Sequence, residues 1–85
     1  MRVMLMVQVG DKVTCRKSFG PSHGLNRARA HAYASKVSDR YWLVEAESAE
    51  AARRCLAERP LYGDTGGWPV GVNQHGRVLA SGGRP

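Results

Sequence analysis

The chain has 85 residues, 13 of them Lys or Arg and 7 Asp or Glu, for a formal net charge of +6. A chain of this length forms one domain with a modest core and little room for a deep enzyme cleft, and two cysteines are too few for a disulfide-stapled miniprotein. The charge is one-sided: Lys12, Arg16, Lys17, Arg27, Arg29, Lys36 and Arg40 stand between positions 12 and 40 against Asp39 alone, whereas acids and bases balance from Glu45 on, and such a field favours a polyanionic partner and speeds encounter with it.

The first element is an apolar run, Val3, Leu5, Val7 and Val9 alternating with Met4, Met6 and Gln8. Apolar on nearly both sides, it reads as a strand in the middle of a sheet. It is much shorter than the about 20 residues that span a bilayer, and no small-residue cleavage pattern follows it. The expectation is therefore a cytoplasmic protein, neither exported nor membrane-embedded, with Cys15 and Cys55 as buried, reduced thiols. Gly10-Asp11-Lys12 is a turn, after which Val13, Cys15 and Phe19 alternate with Thr14, Arg16 and Ser18 as a hairpin partner. Lys17 breaks the inward pattern, so this strand bulges or ends early.

Gly20 to Gly24 is a breaker cluster, and Leu25 to Ser38 reads two ways. Ala28, Ala30, Ala32 and Ala34 alternate with polar residues as a strand would, but alanine is a strong helix former and Asn26 a fair N-cap, which favours a helix. In the helix Arg29, Tyr33, Lys36 and Arg40 form one stripe at i, i+4, i+7 and i+11; in the strand Arg29, His31 and Tyr33 share a face. Tyr41 to Val44 is a strand by its aromatic and branched residues. Ser48 then caps a helix from Ala49 to about Arg59, with Ala52, Cys55 and Leu56 buried and Pro60 as its stop. A glycine loop, Tyr62 to Gly67, leads to a hairpin, Trp68 to Val72 and Arg77 to Ser81. The expected fold is one compact α+β domain over residues 1–81, of order β-β-α-β-α-β-β, a mostly antiparallel sheet of about five strands with both helices on one face. Residues 82–85 read as a flexible tail.

The candidate site is the basic stripe Arg29, Tyr33, Lys36 and Arg40, supported by Arg16 and Lys17 on the second strand. Lysine and arginine neutralise phosphates, and a tyrosine between them stacks on a base. Trp68, beside the glycine loop, reads either as a lid on the core or as an exposed aromatic anchor, and in the second case is a further candidate for the site. Gly66-Gly67 is followed by Trp68-Pro69 rather than GK[ST], so no phosphate loop is read there, and Gly63 to Gly66 lacks the helices that flank a KH loop. His23, His31 and His75 have no metal-ligand spacing and there is no CxxC, so neither metal nor cofactor is expected. No nucleophile, base and orienting group can be assembled, which points away from an enzyme.

The run from Trp42 to Arg54, a strand ending in an acidic cap and passing into an Ala/Arg helix before a late hairpin, resembles the central unit of some small phage anti-CRISPR proteins. The resemblance implies a non-catalytic inhibitor that docks on an RNA-guided surveillance complex, and it transfers no functional residue. Many such inhibitors are acidic DNA mimics; the charge of +6 argues instead for contact with an acidic patch, guide RNA or DNA. The expected function is an inhibitor or adaptor docking on a nucleic-acid-handling complex through the basic half, the alternative being a stand-alone DNA- or RNA-binding domain. Edge-to-edge pairing as a homodimer stays open.

Overall fold

The structure is a computed structural model and describes residues 1–58 and 71–83. Its elements are β1 (Arg2–Val9), β2 (Lys12–Pro21), α1 (Gly24–Ala34), β3 (Tyr41–Ala46), α2 (Ala49–Ala57), β4 (Gly71–Asn73) and β5 (Gly76–Gly82). Four long strands form one antiparallel sheet in the order β2-β1-β3-β5, and the three-residue β4 lies against the outer edge of β5. The chain is thus a small α+β protein. Among the described residues no helix is long and apolar enough to cross a membrane.

β1 is an interior strand, flanked by β2 and β3, as its side chains, apolar on both sides, require, and that same property overturns the expectation that both helices share one face. Val3, Leu5 and Val7, with Leu43 of β3, pack against Ala30 and Ala34 of α1. Met4 and Met6, with Trp42, Val44 and Ala46 of β3, pack against Ala52, Cys55 and Leu56 of α2. The helices therefore lie on opposite faces of the sheet. With both on one side, a whole row of large side chains would face water, at a cost of roughly 1.5–3 kcal/mol each. Trp42 is in the core, 5% exposed.

The hairpin between β1 and β2 turns on Gly10 and Asp11, with Val9 opposite Lys12. Gly10 has φ +64°, which fits a glycine at the first central position of a two-residue turn. Farther along, Met6 faces Cys15 while Leu5 faces Lys17, so Arg16 is the extra residue of a β-bulge. The bulge exchanges the two faces of β2. Before it, Val13 and Cys15 pack on the α2 side of the sheet; after it, Lys17 shares the face of Leu5, and Phe19 packs on the α1 side.

Residues 24–34 are helical, so alanine's helix propensity outweighs the strand-like alternation. The helix begins two residues earlier than Asn26. His23 is its N-cap, with Nδ1 accepting from the Asn26 backbone N–H at 3.4 Å. Asn26 is instead buried inside the first turn, where its amide donates to the Pro21 carbonyl at 2.8 Å. The helix also ends four residues before Ser38. The Lys36 and Val37 N–H groups donate to the Tyr33 and Ala34 carbonyls at 3.1 and 3.0 Å, a tightening into three-residue turns that closes the helix.

α2 starts as expected, with Ser48 Oγ accepting from the Ala51 N–H at 3.1 Å and Arg54 paired to Glu50 at 3.1 Å. Its last helical residue is Ala57; Arg59, Pro60, the loop from Tyr62 to Gly67, and Trp68 lie outside the described residues. At the other end the strand runs one residue further than expected, since Gly82 still pairs with Tyr41. Gly83 follows at φ +81°, where a Cβ would strike the Asp39 carbonyl, so 82–83 lie against the start of β3 rather than in the expected free tail.

Candidate polyanion-binding groove

α1 seats on the sheet through Ala30 and Ala34, both essentially unexposed. These small side chains bring the helix close to β1 and leave Tyr33 reaching over β2. There its ring meets Phe19 edge to face, with centroids 5.7 Å apart and planes at 68°. Lys17, delivered to this face by the bulge, holds its ammonium 4.9 Å from the Tyr33 centroid and 5.6 Å from that of Phe19. A cation over an exposed ring gains about 0.5–1 kcal/mol, enough to orient the lysine without tying it down.

Around this aromatic pair runs a cleft of about 480 Å³ lined by Lys17, Phe19, Asn26, Arg29, Tyr33 and Lys36, among others. A smaller cleft of about 270 Å³ shares Tyr33 and Lys36 and extends past Arg16, Val37 and Ser38. Among the described residues neither has a carboxylate in its lining. At the edge of the smaller cleft Arg16 Nη2 engages Asp39 Oδ2 at 3.0 Å across two exposed side chains. Arg29 and Lys36 form no ion pair among the described residues.

The structure thus brings together five of the residues expected in the site: Lys17, Arg29, Tyr33 and Lys36 in the main cleft, Arg16 at its extension. It does not bring Arg40 there. The helix that was to carry Arg40 on its stripe ends at Ala34, and the Arg40 guanidinium lies 5.2 Å over the ring of Trp42, on the α2 side. Phe19 and Asn26 are site residues that sequence reasoning missed. The signal for Phe19 was Lys17 itself: a break in alternation at 17 means the residues beyond it change face. Trp68 lies outside the described residues.

A second group fixes the entrance to α1. Ser22 Oγ donates to Glu45 of β3 and accepts from Arg27 Nη1 at 3.1 Å. It ties the loop before α1 to the sheet, so the helix that carries Arg29 and Tyr33 is anchored at its start. Of the histidines, His23 caps α1 and His75 meets Glu58 at 2.5 Å. Among the described residues no three His, Cys, Asp or Glu side chains gather as metal ligands.

Cys15 faces away from the groove, half-buried on the α2 side, and Cys55 is fully buried; neither is in a disulfide. Burial raises the Cys15 thiol above the ordinary thiol range, outweighing a backbone hydrogen bond and the field of Arg53, which pull it down. The thiol is expected to react with an alkylating reagent more slowly than a free thiol at pH 8, its rate still climbing at pH where a free thiol has levelled off. Because the folded value lies above the unfolded one, the thiol is neutral in both states below the unfolded value. Stability then falls as pH rises from there through the folded value. A reaction profile matching that of a free thiol would contradict this.

No family model, curated protein or solved structure matches the chain, so the functional reading rests on the chemistry of the groove.

Proposed function

We propose that this protein is a non-catalytic nucleic-acid-binding protein that grips a phosphate backbone in the groove between α1 and β2, and that it acts as an inhibitor or adaptor on an assembly that handles nucleic acid. The observation that carries this reading is the convergence of Lys17, Arg29 and Lys36 around an aromatic pair, with no carboxylate among the described residues that line the cleft. Cations left without carboxylate partners are free to neutralise phosphates and release their counterions. The lining supplies positive charge, an aromatic platform, an amide and a hydroxyl. That set suits holding a ligand better than breaking a bond, which supports a binder over an enzyme.

The test is a titration of a labelled oligonucleotide between about 50 and 200 mM salt. Three groove cations predict that log affinity falls against log salt with a slope of about −2, from about 0.7 per neutralised phosphate on a single strand. Absence of binding at the low-salt end would overturn the proposal. Docking on an assembly, as the resemblance to phage inhibitors implies, is the wider form of the same reading. A defined complex recovered on the tagged protein, and lost when nuclease removes its nucleic acid, supports contact through nucleic acid; a complex that resists nuclease places the contact on protein.

A further inference from the structure

We infer that the groove selects unpaired nucleic acid over duplex, with one base stacked on Tyr33 and the flanking phosphates held by Lys17, Arg29 and Lys36. This rests on the nucleic-acid reading above and names its ligand class.

The aromatic lining of the groove is what separates the two ligands. A duplex offers a protein its phosphates and the edges of its bases, because the base faces are hidden in the stack. An aromatic ring that lines a cleft has no partner there. An unpaired base does expose its face, and aromatic rings flanked by cations are the usual platform for it. Tyr33 is 37% exposed and braced by Phe19, which fixes its ring. The group set over that ring is the Lys17 ammonium, on a flexible four-carbon stem. A base that takes the ring displaces the ammonium, which then meets the phosphate beside that base.

The shape agrees. Positive charge comes from both walls, Lys17 from β2 and Arg29 and Lys36 from α1 and its end, and a concave basic channel suits a flexible strand. Duplex readers instead push a helix or ribbon into the major groove. The outward side of α1 carries exposed Leu25, Ala28 and Ala32, which offer no hydrogen bonds to base edges. The cleft also continues past Tyr33 towards Arg16, giving the strand a path out along β2.

The experiment is fluorescence anisotropy with a labelled mixed-sequence DNA strand of about 12 nucleotides, within the range such sites cover, and with the same strand annealed to its complement, at one low salt concentration. The strand is expected to bind at least roughly tenfold more tightly than the duplex, and Tyr33→Leu to weaken strand binding roughly 5- to 150-fold while leaving duplex binding unchanged. Tyr33→Phe, which keeps the ring, is expected to retain strand affinity. Equal affinity for strand and duplex would overturn the inference and leave the nucleic-acid reading standing, as would a Tyr33→Phe loss as large as that of Tyr33→Leu. Binding of neither ligand would overturn both. The wild-type comparison decides the matter even if Tyr33→Leu fails to fold.

Discussion

Replacing Lys17, Arg29 and Lys36 together with alanine is expected to cost roughly tenfold to a hundredfold in oligonucleotide affinity, and to flatten the salt dependence by about 2 in the log–log slope. The size follows from exposure. All three side chains stand in water, where a single ionic contact gains up to about 1 kcal/mol, so three together give one to two decades. The fold should be retained, because none of the three is in the core, and Lys17 gives up no more than its exposed position over the aromatic rings. The informative control removes the same charge elsewhere. Arg40, Arg53 and Arg54 belong to the α2 side, Arg40 over Trp42 and the other two on α2. Their triple alanine variant lowers net charge equally but leaves the groove intact. It should slow encounter through the weaker overall field while keeping most of the equilibrium affinity and of the slope. Equal losses in both triples, read by anisotropy across a salt series, would show that bulk charge rather than the groove binds the ligand.

Much of this was legible in the sequence where one residue had one role. The alternation of Val3 to Val9 announced a central strand, and Ser48 announced the start of α2, because a serine ahead of an Ala/Glu run has few other uses. The misreadings arise where a residue answers to tertiary contacts. Asn26 is a fair N-cap by propensity, yet its amide is taken by the Pro21 carbonyl and the cap falls to His23. Arg40 continues the helical period on paper, but the chain must leave α1 early enough to return to Tyr41 at the start of β3, so the stripe is cut after Lys36. The placement of the helices was readable in principle. A central strand apolar on both sides needs cover on both sides, and Met4 and Met6 already demanded the second layer that α2 supplies. The groove was half-visible. Its cations, Lys17 among them, stood out in the charge pattern, and the break in alternation at Lys17 left a bulge or an early end open; that the strand continues past an extra residue at Arg16, and so carries Phe19 to the α1 side, is settled by pairing with β1.

Leu43→Ala is expected to be among the most damaging single substitutions to stability, at roughly 2–5 kcal/mol. A domain of this size has roughly 4–13 kcal/mol in total, so the change removes a large fraction of it. Leu43 is unexposed, pairs in register with Leu5 on β1 and packs in the layer beneath Ala30 and Ala34. The helix above it meets the sheet through alanines, which cannot extend to fill the void that removal of an isobutyl group leaves. The transfer cost and the cavity cost therefore both persist. In urea the midpoint should fall with the slope unchanged, since the surface exposed on unfolding stays nearly the same. The effect should also be local to one layer. Leu5→Ala shares the same void and should combine with Leu43→Ala non-additively, while Leu56→Ala, in the layer under α2, should add to it simply. That contrast tests the two-layer core directly, and with it the seat of α1, on which the alignment of Arg29 and Tyr33 over β2 depends. A loss below about 1 kcal/mol for Leu43→Ala, or equal coupling to Leu5 and Leu56, would be incompatible with a sheet covered by one helix on each face.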